Sequence, residues 1–382
     1  MKEKLWTRNF VVIIVINFLI FANHFMLLAC FPFFVEFMGG TEATAGALAA
    51  LFSIVAVVFR PIFGWLLDRG KRKRILLFGI IILCISTVSY MVAGALLVVF
   101  AFRMLNGIGL SSASTSSSTI TSDIIPKKRF SEGMGMFGLA ITLATALAPS
   151  VGIVLMHKSG FSSLFLVAEA FVIAAIALFL FLNTNETPHP KKPLNIRTMF
   201  ESNAIPASAV ILLFMMTFGA IENFIAKFAV SSNLPGGMYF IFMSVAILLT
   251  RFLLGKVADR RGEAPFVYLG NIAMLAALVI LAFNVSTFTF IVSALLAGFG
   301  FGGIEPALQA MAIGNVSPKR RGAANSTFLC AYDIGIGFGG GIAGFLITNL
   351  GYSSMFMVIA LANLVSILIY LFWARNHSSA FR

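Results

Sequence analysis

The chain has 382 residues, of which 59% are apolar and 11% charged, and its formal net charge is +13. Soluble domains carry about 25% charged residues, and crossing a bilayer as a helix takes about 20 apolar residues. Runs such as Phe10 to Phe34 and Ile75 to Phe102 meet that length, and the short connections between runs exclude a large water-soluble core.

Twelve helices are predicted, near 9–36, 45–67, 75–93, 96–122, 133–156, 163–183, 205–231, 236–257, 266–285, 287–314, 322–347 and 353–374; they are called spans 1 to 12 below. The stretch Leu27 to Cys30, "LLAC", resembles a lipoprotein cleavage box. The apolar run before it is longer than the roughly 7–15 residues of a signal core, so it reads as an uncleaved first span. The polar stretch Asn183 to Asn203 carries prolines and charges and reads as a linker. It divides the chain into a six-helix half over 1–183, a cytoplasmic linker over 184–204 and a second six-helix half over 205–382.

The positive charge falls in short clusters on every second connection: Lys2, Lys4 and Arg8; Arg69 to Arg74; Lys127 to Arg129; Lys191, Lys192 and Arg197; Lys256, Arg260 and Arg261; Lys319 to Arg321; and Arg375 with Arg382. The alternate connections are nearly bare, with Lys158 standing out. That is the positive-inside pattern. It predicts a multi-pass protein of the cell membrane with both termini cytoplasmic, and basic clusters lying against anionic lipid. No nucleic-acid partner is expected. Cys30, Cys84 and Cys330 all lie inside apolar runs without metal-ligand spacing, so neither a disulfide framework nor a zinc site is implied.

The two halves repeat one another. The pattern R-x-x-x-G-x-x-x-D-R begins at Arg60 and again at Arg251, 191 positions later. "GIGL" from Gly107 returns as "GFGF" from Gly298 at the same offset, and "PKKR" after span 4 returns as "PKRR" after span 10. Two parallel six-helix repeats are an architecture of secondary transporters.

On these motifs the sequence resembles the major facilitator superfamily over its whole length. The family's loop pattern between spans 2 and 3, G-x-x-x-D-R-x-G-R/K-R/K, is matched by Gly64, Asp68, Arg69, Arg72 and Lys73. Lys71 stands where the family has glycine. The second copy keeps Gly255, Asp259, Arg260 and Gly262, then departs at Glu263 and Ala264. The span 4 pattern R-x-x-x-G-x-G appears as Arg103, Gly107 and Gly109. Gly138, Pro149 and Gly152 look like the Gly-Pro motif of the drug:proton antiporter branch, with Ala148 in place of a glycine. The resemblance implies an all-α polytopic protein of two pseudo-symmetric six-helix bundles, working as a monomer, with spans 1, 4, 7 and 10 lining a cavity. It also implies that Asp68 faces a helix N-terminus across the two halves, where a carboxylate is favoured. Asp68 with Gly64, Arg69 and Arg72 then forms a conformational latch, and Gly255, Asp259 and Arg260 form a worn second one. The other reading is that these are solvated loop charges. Gly64, lacking a side chain, is expected to let another helix approach.

An ionised carboxylate within a span costs about 2.5–3.5 kcal/mol on insertion scales, so acids persist there facing water or a partner. Glu222 in span 7, Glu305 in span 10 and Asp333 in span 11 are candidates for proton coupling, with Arg103 in span 4. Glu169 in span 6 reads as structural. Asn17 and His24 share a face of span 1; with Ser114 and Asn223 they are candidates for the substrate cavity. For each of these a structural hydrogen-bonding role is the competing reading. Glu305 follows Gly302 and Gly303 and precedes Pro306, which predicts a weakened helix at mid-membrane. The run Ser111 to Ser122 has ten hydroxyls in twelve residues; it reads as helix packing, as a polar cavity wall, or as both.

Nucleotide loops, metal clusters and nucleophile–base constellations are lacking in the sequence, so no enzyme and no cofactor are expected. The expected function is secondary active transport by alternating access, with protons as coupling ion and export of a small organic molecule. A proton-coupled uptake symporter using Arg103 as an anion anchor is the alternative. A lipid flippase without proton coupling is an alternative of another class.

Overall fold

The computed structural model describes residues 4–67, 70–126, 129–183, 200–261, 264–283, 285–314, 316 and 321–375, with the side chains of 130–132, 252–261, 314 and 321–322 outside the description. The described residues form helices and no strands. This is what hydrocarbon demands, because each backbone N–H and C=O must be satisfied within its own segment. Spans 1 to 4 are the helices Arg8–Phe37, Glu42–Leu67, Arg72–Met91 and Leu96–Ile124. Spans 7 to 10 are Ile205–Ser231, Met238–Arg261, Ala264–Phe283 and Thr287–Gly314.

The remaining four spans occupy two long helical runs, Phe130–Phe179 and Arg321–Ile369, the latter followed by a π-turn over Tyr370–Ala374. Each run is about twice as long as a bilayer needs at 1.5 Å per residue. The chain turns within each at one glycine. Gly160 has φ 79° and ψ 178°; Gly351 has φ 79° and ψ 175°. The short loops expected between spans 5 and 6 and between spans 11 and 12 are therefore single-residue breaks. A left-handed φ is open to glycine without a Cβ clash. The two glycines are 191 positions apart, so the sequence repeat extends to the hinges of both halves. With two spans in each long run, the described helices supply twelve.

The repeat is also visible in packing. A Cβ on Gly79 would meet the backbone N of Ala113 at 2.5 Å, and one on Gly109 the N of Leu83 at 2.9 Å, which locks span 3 to span 4. At the equivalent positions Gly270 and Gly300 face one another's carbonyls, locking span 9 to span 10. In span 5, a Cβ on Gly152 would meet the Met26 Cγ at 2.7 Å. Such contacts are how helices associate where lipid offers no hydrophobic drive.

Residues group into two compact units: Met1–Cys30 with Val55–Leu194, and Phe31–Ile54 with Asn195–Arg382. The division at the linker places Phe31–Ile54 in the first half; by packing this segment belongs with the second unit. Three contacts hold it there. Gly46 lies against the Gly340 and Gly341 carbonyls. The Ala43 amide donates to the Thr348 hydroxyl at 2.9 Å. Lys227 Nζ bridges Glu36 Oε2 at 2.9 Å and Glu42 Oε1 at 2.7 Å. Neutralising Lys227 leaves two carboxylates facing each other's charge, so Lys227→Met is expected to loosen the segment by about 1 kcal/mol. A thiol placed at Ala43 would then label about fivefold faster; an unchanged rate would make the bridge ornamental.

Candidate functional site

The second unit gathers its polar groups on spans 7, 8, 10 and 11. Arg251 Nη2 donates to Glu305 Oε2 at 2.9 Å, joining spans 8 and 10. Tyr332 in span 11 lies in the field of Glu222, Glu305, Asp333 and Arg251. Glu222 is buried, and no hydrogen bond from a described residue reaches its carboxylate. Phe218 and Phe301 stack between spans 7 and 10, with centroids 4.2 Å apart and planes inclined by 15°. Tyr332 continues the aromatic series at 6.5 Å from Phe301.

Helix geometry orders these groups by depth. Phe218 and Phe301 each lie thirteen residues, about 20 Å at 1.5 Å per residue, from the basic ends of their spans. Glu222 is one turn from Phe218 and Glu305 one turn from Phe301. Spans 7 and 10 run in opposite directions, so the carboxylates sit on opposite sides of the stacked rings, with Glu305 on the side nearer the basic ends.

Three of the predicted features have local geometry described here. Span 10 stays helical through Gly302, Gly303 and Pro306. Gly302 packs against Thr250 and Ile247 of span 8, which supports the turn that Pro306 weakens. Asn223 donates to the Gly219 carbonyl of its own helix at 2.8 Å and packs on Gly340, which ties its amide to helix packing. A Cβ on Gly64 would meet nothing within 4 Å among the described residues.

In the first unit, Ser117 donates to Asn17 Oδ1 at 3.1 Å, linking spans 4 and 1. The Asn17 amide nitrogen and the Ser114 hydroxyl are buried without a hydrogen-bond partner among the described residues. Most other hydroxyls of the serine run bond back to their own helix, as Thr115, Ser116, Thr119 and Thr121 do, and Ser112 reaches the Ile75 carbonyl of span 3. His24 packs beside Phe21 and Phe25 in the field of Arg103 and Arg60. Arg103 is fully enclosed; it donates to Asn106 at 3.4 Å and lies beside the Tyr90 phenol, so its guanidinium is engaged with span 3. Glu169 accepts from Cys84 at 2.8 Å, a span 3 to span 6 tie. Gly107 is buried in span 4, and the Gly138 carbonyl, about three turns before Pro149 in span 5, accepts from Thr142.

The latch residues Asp68 and Arg69 lie outside the described residues. Gly255, Asp259 and Arg260 lie in the helical backbone of span 8, and their side chains are likewise outside the description. Arg72 forms an ion pair with Asp123, fastening the start of span 3 to the end of span 4. Asp333 sits next to Tyr332 on span 11, within the acidic group.

Sequence reasoning used Arg251 only to mark the repeat, and passed over Tyr332, Phe218, Phe301 and Lys227. Arg251 was visible as an arginine well inside a predicted span, at the offset of Arg60. The aromatic stack had no such signal among 41 phenylalanines.

Twelve apolar helices in two repeated sets, with ionisable groups at mid-span, define a polytopic membrane transporter. The family model described as Major Facilitator Superfamily matches residues 13–282 and 228–381, and the chain belongs to that superfamily. It is 27% identical to the uncharacterized MFS-type transporter YhhS of Escherichia coli K12, over 94% of this chain and 91% of that one. It is 24% identical to the staphylopine export protein of Staphylococcus aureus Mu50, over 90% of each chain, and 24% identical to multidrug resistance protein 2 of Bacillus subtilis 168, over 93% and 94%. Among solved structures it is similar to a POT family transporter in complex with a thioalcohol-conjugated peptide, with TM-score 0.83 and 14% identity over 97% of this chain and 96% of that one. It is also similar to the nucleoside transporter NupG (D323A mutant), with TM-score 0.74 and 15% identity over 98% and 100%. At these identities the structures speak for the fold.

Proposed function

We propose that the protein is a proton-coupled exporter of a small organic molecule, working by alternating access in the cell membrane with both termini cytoplasmic. The observation that carries the proposal is the acidic group of spans 7, 10 and 11, in which Glu222 is buried with no ion-pair partner among the described residues while Glu305 is held by Arg251. A proton on Glu222 removes the charge that span 7 otherwise buries. Its binding and release therefore change how readily the surrounding helices dehydrate. In this reading Glu222 carries the proton, Glu305 and Asp333 respond to substrate, and Arg103 positions span 4. Asn17, His24 and Ser114 belong to the cavity wall. The names of the staphylopine exporter and the multidrug resistance protein favour export. The protein is taken to act as a monomer without a cofactor.

Everted membrane vesicles test the direction. With staphylopine and ethidium as probes, energised vesicles should accumulate at least one of them, and a protonophore should abolish the accumulation. Accumulation by right-side-out vesicles under an inward proton gradient would assign uptake instead. Probe-independent lipid scrambling at any pH would assign a flippase.

The loop motif has its own expected outcome. Asp68→Asn should shift the population toward opening on the basic side more than Asp259→Asn does, read as thiol accessibility on that side. Equal or absent effects would leave the motif as a topology signal.

A further inference from the structure

The Arg251–Glu305 pair lies deep in its spans. Arg251 is thirteen residues, about 20 Å, from the start of span 8, and Glu305 nine residues, about 14 Å, from the end of span 10. Yet the two side chains keep 33% and 19% of their surface exposed. Charges at that depth rarely face lipid, so the exposed face is one that a polar ligand could reach. The pair is also incomplete. One guanidinium nitrogen meets one carboxylate oxygen, and Arg251 Nε is buried without a hydrogen-bond partner among the described residues. The exposed part of the guanidinium, away from the enclosed Nε, leaves donors for a second oxyanion.

The repeat argues that the fold does not require this pair. At the offset of 191, Arg60 stands for Arg251 and Ser114 stands for Glu305, so the first half holds the acid's place with a serine. An acid kept in one copy alone, with part of its surface open, is placed for a ligand.

We propose that the Arg251–Glu305 pair recognises the zwitterionic head of an amino-acid-like substrate, an ammonium and a carboxylate together, with Phe218, Phe301 and Tyr332 receiving its aromatic or apolar portion. The proposal rests on the transporter reading above and names its substrate class. A ligand bearing only an ammonium takes Glu305 and strands Arg251. One bearing only a carboxylate strands Glu305. Each leaves a half-buried charge without its partner, the costly way to break such a pair. A zwitterion re-forms both contacts and leaves the charge count unchanged. The rings stand in register for the rest of the ligand, since Phe301 is one turn from Glu305 and stacks on Phe218 at 4.2 Å.

Three matched probes test this on the full-length protein in nanodiscs: phenylalanine, phenethylamine and 3-phenylpropionate. Phenylalanine should bind at least tenfold more tightly than either singly charged analogue. Arg251→Gln should reverse the order in favour of phenethylamine, and Glu305→Gln in favour of 3-phenylpropionate. The charge-exchanged double variant Arg251→Glu with Glu305→Arg should retain phenylalanine binding, which keeps the test open if a single variant fails to fold. Tighter binding of phenethylamine by the native protein would assign an organic-cation site and overturn the proposal. Equal binding of all three, or of none, would overturn it as well. Either failure leaves proton-driven export of staphylopine or ethidium untouched, because that readout follows proton movement and not head-group charge.

Discussion

Glu222→Gln is expected to abolish export driven by a pH gradient while leaving downhill exchange of substrate in place. Glutamine keeps the size and hydrogen-bonding capacity of the protonated acid but has no proton to give. The carboxylate sits in span 7 one turn past Phe218, and no described side chain neutralises it. An ionised acid within a span costs about 2.5–3.5 kcal/mol, which corresponds to a factor on the order of 100 between its charged and neutral forms. Concentrative flux should fall by about that factor. Thermal stability should hold or rise, because the variant no longer carries a charge to bury. Glu222→Asp should retain part of the flux. Full pH-driven transport by the Gln variant would move the proton site to Glu305 or Asp333.

Gly339→Val is expected to give the largest loss of stability among single substitutions in the second unit. Spans 7 and 11 meet backbone to backbone. A Cβ on Gly339 would collide with the Met216 carbonyl and Cα, one on Gly335 with the Leu212 carbonyl, and one on Gly219 with the Ile336 backbone. Neither side can yield by turning a rotamer, because the obstructing atoms are main chain. Overpacking usually costs about 1–3 kcal/mol, and this contact belongs at the upper end. The apparent melting temperature of the purified protein should drop by several degrees. Gly135→Ala is the matched control: its Cβ would meet nothing within 4 Å, so a change within about 0.5 kcal/mol is expected. Equal shifts in the two variants would contradict the packing account.

The repeat explains which parts of this architecture could be read from the chain. Span number was legible because a bilayer imposes length and apolarity on every crossing, and Arg60 with Arg251 marked the offset of the repeat. The turns at Gly160 and Gly351 were not, because one left-handed glycine breaks a helix without altering the hydropathy around it. Glu222, Glu305 and Asp333 stood out since charge is scarce in the spans. Their surroundings did not: Arg251 and Glu305 are 54 positions apart, and only tertiary packing decides that they pair. The same holds for Lys227, which joins Glu36 and Glu42 across nearly half the chain. The Asn223 amide likewise has a partner that only the folded helix shows, the Gly219 carbonyl one turn back. The segment Phe31–Ile54 went with the second unit for a reason no local pattern states, the complementary glycines at 46, 340, 341 and 344.

The central claim, that proton entry drives export through the acidic group of the second unit, is tested most directly in proteoliposomes holding a trapped pH-sensitive dye. With the purified protein and whichever of staphylopine or ethidium it moves, substrate movement should be accompanied by opposite proton movement in a fixed ratio, and Glu222→Gln should remove the proton signal. Substrate movement with no proton signal in the native protein, or a signal unchanged by Glu222→Gln, would contradict the account.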